Sequence, residues 1–229
     1  MKKVYTLFST IFLALMVLTT TLTYAQVTSG PSDIVTAPPA NASDVGKVLC
    51  YGQNISLNGP TETPTTDYAV YHWYKIDPSG NKQLTAITGK TYTETTGAAG
   101  YYNYQVVTEN ANGCTSPISD VFKIYVLPQL SVTVTTPTAS MCAEAANATL
   151  LTANVTPASG YNIVYQWTRN GTPIAGATAS TYNVTGETTA ATVTFGVNVS
   201  YALNTSCAAT GTKDIVITPL PTKPMITAN

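Results

Sequence analysis

The sequence predicts an all-β protein of two β-sandwiches in tandem, preceded by a short export segment. Three observations predict it. First, the chain repeats itself. Cys50 lies 64 residues before Cys114 and Cys142 lies 65 before Cys207, while Leu57 precedes Trp73 and Leu151 precedes Trp167 by 16 in both cases. "KTYTE" (90–94) corresponds to "STYNV" (180–184), and the period is about 92 residues. Second, short runs rich in aromatic and β-branched residues alternate with turn residues at regular spacing. Third, no stretch after the leader sustains a 3.6-residue apolar period, and Thr, Ser, Asn and Ala stand where a helical surface would carry charge.

The elements follow in chain order. Residues 1–25 read as a signal peptide: Lys2 and Lys3 open it, Phe8–Leu18 is its apolar run, and Thr23-Tyr24-Ala25 places small residues at a cleavage site. Gln26 then starts the mature chain. Residues 26–128 form the first unit, with strands at "AVYHWYKI" (69–76), "YYNYQVV" (101–107) and "DVFKIYV" (120–126). "DPSGN" and "NANG" are the turns between them. Pro128 centres the boundary "VLPQLSV". Residues 129–220 form the second unit, with strands at "IVYQWTR" (163–169), "ATVTFGVNVSY" (191–201) and "KDIVITP" (213–219). Residues 221–229 are a linker whose composition matches the start of a third repeat.

Charge and motifs exclude several classes. The chain has 10 basic and 11 acidic residues, and from Gln26 onward 8 and 11, a net charge of −3. No basic patch is available for nucleic acid or for an anionic membrane, and nothing after the leader is long and apolar enough to span a bilayer. His72 is the single histidine. With no GxSxG elbow, no DxDxDG loop and no CxxC, the sequence predicts no catalytic, cofactor or metal site. "NGTPIAGAT" (170–178) imitates a phosphate loop, but Ala177 stands at the lysine position, Pro173 lies inside it, and "STYNV" follows as a strand. Asn170-Gly171 reads instead as a hairpin turn.

"YQWTRNGTPIAGATASTYNV" resembles the C-to-E strand region of immunoglobulin-like domains, and "GYYNYQVVTENANGC" resembles their F strand and F–G hairpin. The resemblance covers nearly all of the mature chain. It is nearest to tandem immunoglobulin-like repeats of secreted surface proteins from Bacteroidetes-type bacteria. It implies antiparallel sandwiches, export to the extracellular space or outer cell surface with the periplasm as the alternative, and a non-catalytic spacer or adhesion role, with repeats that are monomeric. Eight Asn-x-Ser/Thr triplets then reflect composition rather than glycosylation. Gly100, Tyr102 and Tyr104 match the pattern around the tyrosine corner, where a hydroxyl bonds back to the chain. In copy two the same alignment sets Phe195 against Tyr102 and Val197 against Tyr104. The core is expected at Leu57, Trp73, Tyr102, Tyr104, Leu151, Trp167, Phe195 and Val197. The family's central cysteine places are taken here by Leu57, Tyr104, Leu151 and Val197.

The cysteines lie elsewhere, one ahead of strand B and one at the F–G turn. The near-equal spacing favours Cys50–Cys114 and Cys142–Cys207. The rival is a bridge across the joint, Cys50–Cys207, because the two places lie toward opposite ends of a sandwich. Alternation along strands C, F and G gathers His72, Tyr74, Tyr101, Gln105, Lys123 and Tyr125 on one outer face. Such a face suits a protein ligand or stacking on sugars, which makes a carbohydrate-binding module the alternative function. Cross-strand pairing that stabilises the sheet is the other reading.

Overall fold

The structure is a computed structural model that describes residues 30–33 and 37–227. The signal peptide expected at 1–25 lies outside the described residues. Among the described residues, seventeen strands run in chain order. The first nine are β1 (Lys47–Leu49), β2 (Asn54–Asn58), β3 (Thr61–Thr63), β4 (Thr66–Asp67), β5 (Val70–Ile76), β6 (Lys82–Leu84), β7 (Thr91–Thr95), β8 (Gly100–Glu109) and β9 (Phe122–Val126). The others are β10 (Ser131–Thr135), β11 (Ser140–Cys142), β12 (Ala148–Thr156), β13 (Ile163–Arg169), β14 (Thr172–Pro173), β15 (Thr181–Thr185), β16 (Ala191–Tyr201) and β17 (Asn204–Thr218).

They make two immunoglobulin-like β-sandwiches. In the first, a sheet in the order β1-β9-β8-β5-β6 faces the pair β2-β7; in the second, β11-β17-β16-β13-β14 faces β10-β12-β15. The pairing is not wholly antiparallel. β1 lies parallel to β9 and β11 parallel to β17. Each short strand runs beside the last strand of its unit and then crosses to the opposite sheet, so it forms a corner between the two layers. No helix among the described residues is long and apolar enough to cross a membrane.

Alternation builds the core. Along β5, Tyr71, Trp73 and Lys75 point inward while His72 and Tyr74 point out. Trp73 Nε1 donates to the Gly89 carbonyl and Trp167 Nε1 to the Ala179 carbonyl, each at 2.9 Å. Both indoles are thereby buried with their one donor satisfied. Leu57, Tyr102, Tyr104, Leu151, Phe195 and Val197 are buried beside them. At Asn170-Gly171 the chain turns between β13 and β14 with φ of 47° and 81°. That left-handed pair is the hairpin turn its residues favour, with no phosphate loop around it.

The strand registers correct the alignment of the two copies. Trp73 lies opposite Val106 and Trp167 opposite Val197. Val106 therefore matches Val197, Tyr104 matches Phe195, and Tyr102 matches Val193. The shift of two residues arises because the Trp-to-F segment is shorter in the second copy. Tyr102 completes its corner by donating to the Ala98 carbonyl at 2.8 Å. Val193 has no hydroxyl to do so.

The disulfide also differs from the within-repeat pairs. Cys50 is bonded to Cys207, with Cα atoms 5.2 Å apart, and Cys114 and Cys142 are free and exposed. The reason is the length of β8. Cys50 follows the β1 end that lies beside Val126 and, through it, Gly100. Cys114 immediately precedes Thr115, which bridges Glu109 at the other end of β8. Ten strand residues separate those ends by roughly 30 Å, well beyond the roughly 7 Å that a bridge tolerates.

Candidate functional site

The outer face expected to bind a ligand is divided by the fold. His72 and Tyr74 remain half-buried on β5, and His72 Nε2 lies 3.1 Å from Glu109 Oε2. Lys123 is exposed on β9. Gln105 is buried and gives its Nε2 donor to the Ser119 carbonyl at 2.6 Å. Tyr125 is only 1% exposed. Its outward direction is that expected from alternation, but the second sandwich covers it. Tyr101 packs on it at 4.7 Å between ring centroids and donates to the Ala37 carbonyl.

Those tyrosines belong to a joint between the sandwiches. Val48, Tyr125 and Leu127 from the first unit meet Tyr201 and Cys207 from the second in one buried cluster. Tyr125 and Tyr161 share a hydrogen bond between hydroxyls at 3.0 Å. Tyr161 stacks edge-on against Tyr201 at 5.2 Å, and Tyr201 donates to the Pro128 carbonyl at 3.1 Å. Asn204 Nδ2 donates to the Val48 carbonyl at 2.9 Å. The Cys50–Cys207 bridge closes the same cluster. Burial raises the Tyr125 hydroxyl's pKa above its ordinary value, helped by the Tyr161 hydrogen bond. Burial pushes Tyr201 up to about 12. The joint is thus held by neutral phenols, a covalent bond and apolar contact.

A second feature is absent from the sequence-based expectations. Lys75 points into the core of the first sandwich and is 1% exposed. Its ammonium donates to Glu94 of β7 and lies 5.0 Å from the centre of the Tyr102 ring. Glu94 Oε2 also accepts from Tyr92 at 2.7 Å and from Tyr104 at 2.8 Å. Burial, then the Glu94 charge, raises the Tyr104 pKa far above its ordinary value; burial and the Glu94 hydrogen bond do the same to Tyr92. In the second sandwich Arg169, Val184 and Phe195 stand at the matching places. Arg169 reaches outward instead, donating to Glu187 through Nε at 3.0 Å and Nη2 at 2.9 Å. The alternation of β5 did place Lys75 beside Trp73, which was the signal available.

The first sandwich also carries an apolar cleft of about 400 Å³, lined by Leu57, Trp73, Tyr104, Val106 and Phe122, with Lys47 and Asp120 at its rim. In the second sandwich, β10 pairs with β12 and sends Val132 and Val134 into the core. Among the described residues no strand of the first unit pairs beside β2 in that way. Among the described residues, too, no group of three or more His, Cys, Asp or Glu is placed to hold a metal ion.

No family model matches the sequence, and no curated protein matches it. Solved structures do. The fibronectin(III)-like modules of Clostridium thermocellum CbhA superpose with a TM-score of 0.42 at 16% identity, covering 85% of this chain and 99% of theirs. The N-terminal four Ig domains of Dscam1 isoform 8.4 give 0.36 at 15%, with 75% of this chain and 42% of that one. Three N-terminal domains of the bacteriophage RB49 capsid protein Hoc give 0.35 at 19%, with 74% and 56%. This chain spans about half the length of the Dscam1 and Hoc fragments. Its architecture stands on its own strand pairing.

Proposed function

We propose that the chain is a non-catalytic, exported spacer or adhesion module of a surface protein, with residues 26–128 and 129–220 as its two units. The observation that carries the reading is the joint. Two sandwiches connected by a flexible linker would turn freely, whereas here a disulfide, four tyrosines and two side-chain-to-backbone hydrogen bonds close on one another. A fixed angle between modules is what a spacer needs. Disulfides persist in oxidising compartments, which agrees with export. The carbohydrate-binding alternative loses its support, because Tyr101 and Tyr125 serve the joint rather than an open face.

Spin labels on the two free thiols, Cys114 and Cys142, test this. A spacer yields one narrow distance distribution, which broadens when Cys50 and Cys207 are both replaced by Ser. A broad distribution in the unmodified chain would overturn the spacer reading. Beads coated with the chain, offered cells, matrix protein and a glycan array, separate the roles: capture of cells or matrix protein assigns adhesion, and binding confined to glycans reinstates the alternative.

A further inference from the structure

The two free cysteines occupy the same register positions as the two bonded ones. Glu109 of β8 bridges Thr115, and its counterpart Ser200 of β16 pairs with Ala208. Cys114 and Cys207 are the residues just before those partners, so they are equivalent. At the other end, Leu49 pairs with Val126 and Met141 with Ile217, themselves partners of the matching residues Gly100 and Ala191. Cys50 and Cys142 follow immediately and are equivalent too. Each unit thus carries one cysteine at its forward pole and one at its rear pole. The observed bridge joins the forward cysteine of one unit to the rear cysteine of the next.

Applying that relation once more leaves a forward cysteine, Cys142, on the second unit and a rear cysteine, Cys114, on the first. Both are exposed. Val216 takes the register of Tyr125, one of the residues the joint buries, and is 43% exposed. The forward pole of the second unit therefore has an uncovered apolar residue where the first unit has a covered one. We propose that Cys142 of one chain bonds to Cys114 of a second copy, so that copies assemble head to tail through a repeat of the internal joint. This goes beyond the spacer reading, which needs only the two units of one chain.

The bond forms by exchange with a two-electron disulfide oxidant. The Cys142 thiolate attacks the oxidant's disulfide and releases one of its thiols. The Cys114 thiolate of the second copy then attacks the mixed disulfide and releases the other. Two protein thiols are oxidised, one disulfide is reduced to two thiols, and the protons pass to the released thiols and solvent. The contact is heterologous, so it extends rather than closes unless the rotation brings the ends together. Ser140, Val216 and Thr218 stand where Val48, Tyr125 and Leu127 do in the internal joint, so the new contact is less apolar and depends more on its covalent bond.

The test uses Cys114→Ser and Cys142→Ser in the full chain, oxidised with glutathione disulfide. The unaltered chain should give a ladder of multimers on non-reducing gels that collapses to monomer with reductant. An equimolar mixture of the two variants should give a dimer about tenfold or more faster than either alone. Its cross-linked peptides should join Cys142 to Cys114, with tryptophan emission unchanged from the monomer. Equal dimerisation of each variant by itself would overturn the proposal, because thiols would then pair without regard to position. So would glutathione capping of both thiols in the mixture without any dimer.

Discussion

At the scale of single residues, the two sandwiches solve one problem in two ways. Each needs a contact between its layers where the family resemblance implies a cystine. The first uses Lys75, Glu94, Tyr92 and Tyr104; the second puts Val184 and Phe195 at the places of Glu94 and Tyr104. The changes are coupled, since a hydroxyl without its carboxylate would be a buried donor lacking an acceptor. Replacing Glu94 by Val alone should cost about 3–5 kcal/mol, because it strands the Lys75 ammonium in the core. Adding Lys75→Met, Tyr92→Phe and Tyr104→Phe should recover most of that loss; chemical denaturation of the three proteins decides it. The phenols give a pH signature. Tyr92, Tyr104 and Tyr125 have raised pKa values in the fold, and Tyr201 is raised to about 12. Above about pH 10 the unfolded chain therefore loses protons that the folded chain keeps. Their contribution to stability is complete below that pH and declines as pH rises through it. Absorbance titration at 295 nm should show a set of tyrosines that ionises only on unfolding; a single transition near 10 for all of them would contradict it.

At the scale of strands and turns, local pattern carried far. "IVYQWTR" and "ATVTFGVNVSY" are β13 and β16 to the residue, because their alternation and flanking turns leave little choice. Asn170-Gly171 forms its turn for a local reason as well. Gly171 sits at φ of 81° with open space around its Cα. Gly171→Ala should therefore cost about 1–2 kcal/mol through backbone strain alone, read as a lower midpoint for the second sandwich with its contacts intact. What local pattern could not supply was register between copies. A single repeat period assumes equal loops, and the unequal Trp-to-F segments moved Phe195 from Tyr102 to Tyr104. Alternation gave Tyr125 its direction, but its burial depends on Tyr161 and Tyr201, which lie in another sandwich. Lys75 was in view on β5, yet its partner Glu94 is on a strand of the opposite layer.

At the scale of the molecule, equal cysteine spacing reads differently once poles are considered. A spacing that recurs in each copy reports that each copy is built alike; it does not report that a bond closes within the copy. The bond at Cys50–Cys207 spans 157 residues of sequence. It also fixes how the chain carries tension. Pulled from positions before Cys50 and beyond Cys207, the load passes through the sulfur atoms and leaves the intervening residues slack. Both hydrophobic cores lie mostly inside that shielded segment. On the order of 500 Å of hidden contour thus cannot be extended under load while the bond is oxidised. Stretching single molecules with and without reductant should show it: the long extension steps appear only after reduction. The bridge makes the pair of sandwiches a tether whose length under tension is set by redox state rather than by the strength of either fold.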